Sequence, residues 1–163
     1  MSFDSVLRTP PPVHLCAELP VDWKTEVEEL LFFNPQQAAL EREILATIRA
    51  FGVPRVVVNN GRLEVEVGKG LVLGTLFARV ATEDGEKLVG VVLFLRKGAG
   101  VLCLHLSVDE LYSLRGPHAG LRVAAHLLDG VREIGARIAG VDHIEIYYKQ
   151  TGWQRLPLTV RLI

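Results

Sequence analysis

The segment from Val101 to Trp153 constrains this chain more than any other. It reads as an apolar strand (Val101 to Val108), a polar corner (Asp109 to Ser113) and the hexapeptide Arg115-Gly116-Pro117-His118-Ala119-Gly120. A long amphipathic helix and a second strand (His143 to Tyr148) follow. Two strands joined by a helix-length connection are expected to lie parallel in one sheet, because only a long crossover returns the chain to the same end. A glycine-containing turn feeding a helix N-terminus also presents N–H groups and the positive end of the helix dipole to an anion. The pattern therefore points to a cofactor class more firmly than to a reaction.

Upstream, the hydrophobic period changes from helical to strand-like. Residues 1–12 end in Pro10-Pro11-Pro12 and read as an extended leader. Val13 to Leu19 reads as a short strand. Asp22 is the expected N-cap of a helix carrying Val27, Leu30 and Leu31 at helical spacing. Asn34-Pro35 separates it from a second helix, with Ala39, Leu40, Ile44, Ile48 and Phe51 on one face and Gly52 as its stop. From Val53 the alternation is that of strands, beginning with a hairpin of Val56 to Val58 and Leu63, Val65 and Val67 around Asn59-Asn60-Gly61. Strands over 71–81, 87–96 and 101–108 complete an antiparallel meander. The helix predicted from Pro117 to about 138 shows Val123, Leu127, Val131 and Ile134 on one face. Leu156 to Leu162 reads as a terminal strand.

The fold class predicted is α+β: a single domain over 1–163 with helices flanking a largely antiparallel mixed sheet. Lys plus Arg (18) nearly balance Asp plus Glu (19), so no overall field draws the protein to nucleic acid. No apolar run is long enough to span a membrane as a helix, and the N-terminus lacks a secretory pattern, which points to the cytoplasm. Cys16 and Cys103 are too few and too far apart for a disulfide framework or zinc cluster. His118 and His126 stand about 12 Å apart along an ideal helix, too far to share one ion, so no metal site is expected.

In its order of elements the last two-thirds of the chain resembles the GNAT N-acetyltransferase superfamily. That family carries Arg/Gln-x-x-Gly-x-Gly/Ala at the start of its central helix, where backbone amides hold the pyrophosphate of acetyl-CoA. Here the hexapeptide keeps the first Arg (Arg115), its following Gly116 and the last Gly (Gly120), with His118 where the family has its middle glycine and Pro117 lacking an N–H. Tyr148-Lys149-Gln150-Thr151-Gly152-Trp153 is similar to the family's Tyr-x-x-x-Gly-Phe segment. The resemblance implies an N-acyltransferase using acetyl-CoA or another acyl-CoA, with a small-molecule or peptide amine as acceptor. Arg115, Gly116, His118, Ala119 and Gly120 would take the pyrophosphate, and Tyr148 would be the general acid. Backbone groups of Ser107, Val108 and Asp109 would support the oxyanion.

Each feature also has a plainer reading. Gly116 and Pro117 make an ordinary N-cap and first helical position. Tyr148 is equally a packing residue at a strand end. His105, a candidate base on the strand bordering the cleft that the resemblance implies between strands 101–108 and 143–148, is equally a structural histidine. Trp23, with Leu30 and Leu31, stands beside the acids Glu26, Glu28 and Glu29, either as a helix packed on the sheet or as one face of a substrate or partner surface. The alternative function is thus a non-catalytic α+β module that binds a partner protein or ligand. A third reading is a homodimeric adaptor.

Overall fold

The computed structural model describes residues 12–32, 48–148 and 152–158. Among the described residues eight strands form one mixed sheet: β1 (His14–Cys16), β2 (Arg55–Asn59), β3 (Arg62–Val67), β4 (Leu71–Thr82), β5 (Gly85–Lys97), β6 (Gly100–Val108), β7 (His143–Tyr148) and β8 (Gly152–Pro157). Helix α1 (Lys24–Phe32) and helix α2 (Val123–Ala136) accompany them. The spatial order is β2-β3-β4-β5-β6-β7-β8, and β1 shares the β3-bearing edge of β4 farther along that strand. This is the α+β class expected. Among the described residues, no helix is long and apolar enough to cross a membrane.

The hairpin β2–β3 turns through Asn60 and Gly61, both at positive φ (52° and 76°), as a two-residue hairpin loop requires. Leu63, Val65 and Val67 are buried while Glu64 and Glu66 alternate outward, so the period-2 pattern chooses the face. Among the described residues the only parallel pairing is β6 with β7, from Gly100↔His143 to Cys103↔Ile146, with α2 in the crossover. Every other pair in the sheet is antiparallel.

The sheet has a core on each face. On one, Val27, Leu30 and Leu31 of α1 pack against Leu63, Val65, Phe77, Val91 and Leu93. On the other, Val123, Leu127 and Val131 of α2 are fully buried against Ala78, Val89, Val92 and Ile144, and Ile134 is half-buried beside them. Each such side chain contributes roughly 1.5–3 kcal/mol on burial. The close seat of α2 depends on Gly90 of β5, where a Cβ would stand 2.8 Å from Val123 Cγ1 and 2.9 Å from Leu127 Cδ1.

Several expected boundaries move. The first strand is limited to His14–Cys16. Asp22 does not cap α1: it lies inside a 3-10 turn, Val21–Trp23, that follows extended Pro20 and runs into Lys24. The second predicted helix is described only at 48–51, where Gly52 N–H donates to Ile48 O at 2.8 Å; its earlier positions lie outside the described residues. The last strand begins at Gly152 rather than Leu156, because its backbone pairs with β7 from Tyr148↔Gly152 onward. The leader 1–11 and the end of the predicted terminal strand also lie outside the described residues.

Candidate functional site

At its C-terminal end β6 runs into the hexapeptide loop through a tight corner. Ser107 Oγ donates to Leu30 O at 2.6 Å, tying α1 to the sheet. Asp109 N–H donates to Val89 O at 2.8 Å, and the Asp109 carboxylate accepts from Leu111 N–H at 3.0 Å. That cap starts the 3-10 turn Glu110–Tyr112. Of the oxyanion donors expected here, the Asp109 amide is therefore committed to the strand pairing.

The predicted start of the long helix is corrected. Residues Ala119–Leu121 form a 3-10 turn, Arg122 sits in the left-handed region (φ 51°, ψ 49°), and α2 begins at Val123. Gly116 and Pro117 are thus neither N-cap nor first helical residue. Left-handed Arg122 separates the tighter i→i+3 bonding before it from the first α-helical bond, His126 N–H to Arg122 O at 3.1 Å. Within the hexapeptide, Gly116 N–H donates to Ser113 O (2.9 Å), His118 N–H to Leu111 O (2.9 Å) and Ala119 N–H to Gly116 O (3.2 Å). Gly116 has a local reason to be glycine: a Cβ there would meet Glu110 O and Leu111 O at 2.4 Å. Gly120, by contrast, has open space where a Cβ would project. The His118 ring stacks on Tyr112, with centroids 4.7 Å apart and planes at 29°.

The turn between β4 and β5 divides two open clefts. One, about 690 Å³, is lined by Ala81 to Asp84, Tyr112, Pro117, His118, Gly120 and Leu121. The other, about 710 Å³, lies between α1 and the ends of β4, β5 and β6, with Trp23, Leu30, Leu88 and Leu111 as its apolar lining. Seven carboxylates line it (Asp22, Glu26, Glu29, Asp84, Glu86, Asp109 and Glu110) against a single cation, Lys87. Glu86 is paired with Arg79 at 2.8 Å, and Lys87 reaches Asp109 at 3.5 Å. The Arg79 guanidinium also lies 5.7 Å from the Trp23 ring centroid, which fixes the indole at the cleft wall.

His105 lies on β6 opposite Leu93, on the face covered by α1. Its Nε2 is shut off from solvent with no hydrogen-bond partner among the described residues, and burial pushes its pKa down to about 4. It lines neither of these two clefts. The register of β5 on β6 jumps from Leu93↔His105 to Phe94↔Cys103, so Leu104 is an additional residue on β6. Such a bulge bends a strand, and this one follows directly on Cys103↔Ile146, where the β6–β7 register ends. Burial pushes the Cys103 thiol up to about 12, so it is a packing residue rather than a nucleophile. Tyr148 ends β7 opposite Gly152; its side chain lies outside the described residues. No group of His, Cys, Asp and Glu among the described residues is arranged to hold a metal ion.

Comparison of the chain with family models, with curated proteins and with solved structures gives no match in any of the three. The acidic cleft is the feature that sequence reading did not assemble. Its α1 acids were legible as a cluster, but its other walls come from segments some 60 and 85 residues downstream, joined only by the sheet.

Proposed function

We propose that this protein binds a cationic, amine-bearing ligand in the acidic cleft beside Trp23. The observation that carries this reading is the charge imbalance of that concavity. Asp22, Glu26, Glu29, Asp84 and Glu110 line it with no ion pair among the described residues. Carboxylates gathered in a cleft with apolar walls focus negative potential, which concentrates and orients a cation. The hexapeptide, in contrast, gives its Gly116, His118 and Ala119 amides to Ser113, Leu111 and Gly116 carbonyls, and this favours a binding module over a phosphate cradle.

Calorimetry with 1,4-diaminobutane at low and physiological salt tests the reading. Affinity should fall as salt rises, and Glu26→Gln with Glu29→Gln should weaken binding roughly 5-fold. Binding insensitive to both changes, or none at all, would refute it.

A second reading, acyl transfer from acetyl-CoA to the bound amine, is favoured by the parallel β6–β7 pair and the bulge at its end. In that reaction the amine nitrogen attacks the thioester carbonyl, the C–N bond forms, the C–S bond breaks, and the amine proton leaves with the thiolate. Binding brings the two reactants together as a near-unimolecular pair. The side chains of Arg115 and His118 would be the pyrophosphate contacts. Acetyl-CoA at about 100 times its dissociation constant should then stabilise the fold by about 2.7 kcal/mol in a thermal or denaturant assay. Diamine binding with no acetyl-CoA stabilisation leaves the binding module alone standing.

A further inference from the structure

Lys87 is the only cation lining the acidic cleft among the described residues, and it does not project freely. Its ammonium lies 3.5 Å from Asp109 Oδ2 and 5.3 Å from the centroid of the Tyr112 ring. A carboxylate on one side and an aromatic face on the other is the chemistry by which proteins recognise a free ammonium group. The pair is held from behind. Asp109 is fixed by its cap to Leu111, and Tyr112 is buried and stacked on His118. The two contacts remain in place whichever ammonium group occupies them.

We propose that Asp109, on the wall of the acidic cleft, and Tyr112, which lines the neighbouring cleft, form a primary-ammonium subsite at the boundary between the two, occupied by Lys87 as an internal competitor. The inference rests on the reading that the cleft takes a cationic ligand, and it adds where one ammonium group of that ligand docks and what it must displace. An exposed lysine side chain is a weak competitor, because it gives up rotamer freedom to stay in place. The displaced Lys87 retains its stem on β5 and moves its head into water. The subsite thus favours a compact primary amine over a quaternary one, which cannot donate hydrogen bonds to Asp109.

Calorimetry with 1,4-diaminobutane tests this on the wild type, Lys87→Met, Lys87→Met/Asp109→Asn and Lys87→Met/Tyr112→Leu. Lys24→Met, which removes the same charge from α1, serves as the control for the general field. Lys87→Met should bind roughly 5-fold tighter. That gain should disappear in both double variants, and Lys24→Met should change affinity less than twofold. Asn at 109 keeps the oxygen that caps Leu111, so this variant decides the matter if Tyr112→Leu does not fold. Wild-type binding without a Lys87→Met gain overturns the subsite alone, as does an equal gain in Lys24→Met or a gain that survives Asp109→Asn. Binding by Lys87→Met where the wild type shows none supports it. No binding by either protein overturns both the subsite and the cleft reading.

Discussion

The two clefts flanking the β4–β5 turn share Thr82 and Asp84 and are similar in volume, yet their polar groups are deployed in opposite ways. In the acidic cleft, five of the seven lining carboxylates have no ion pair among the described residues. On the other side, the hexapeptide loop gives its Gly116, His118 and Ala119 amides to the carbonyls of Ser113, Leu111 and Gly116 and lays His118 against Tyr112. A motif supplies residue types; whether their donors remain available is settled by the local hydrogen-bond pattern. The proposed ligand reading of the acidic side rests on this contrast, which leaves the hexapeptide as a hydrogen-bonded corner.

The sharpest way to break this contrast is at Gly116. If the loop is a packed corner, Gly116→Val should destabilise the protein by about 3 kcal/mol in urea denaturation, since its Cβ collides with backbone oxygens. A loss under about 1 kcal/mol would show a loop loose enough to open for an anion.

The next effect belongs to His105, the predicted base. Its folded pKa of about 4 lies below the ordinary value of 6.5, so the unfolded chain binds the proton more readily. Its contribution is present above pH 6.5 and is lost as pH falls toward 4, amounting to about 2–3 kcal/mol. The loss should be visible in urea midpoints at pH 7 and pH 4.5 and smaller in His105→Leu. An identical pH dependence in both proteins would mean that this imidazole is hydrated and available.

Smaller effects separate the loop's own residues. Removing the ring in His118→Ala should cost about 0.5–1 kcal/mol through the lost stack on Tyr112. Should His118→Ala instead leave stability untouched, the stack holds nothing and the ring is free for a ligand. Gly120→Ala should stay within about 0.5 kcal/mol, because open space surrounds the added methyl. A larger cost there would point to packing that the corner reading does not include.

What the sequence determined by itself was the local and periodic part of the fold. Alternation at Leu63, Val65 and Val67, the Asn60-Gly61 turn and the apolar face of α2 set the elements and their buried sides, because side-chain period and turn chemistry act over a few residues. The long connection before β7 likewise carried its parallel pairing. The tertiary structure alone decided where the helix after the hexapeptide begins. A left-handed Arg122 and a run of i→i+3 bonds are chosen by how the corner packs under Glu110 and Leu111, and residue types do not announce them. It alone also gathered Asp22, Glu26 and Glu29 with Asp84, Glu86, Asp109 and Glu110, and set Lys87 between Asp109 and Tyr112. Those meetings are long-range contacts, fixed by strand register and helix seat, so no window along the chain contains them.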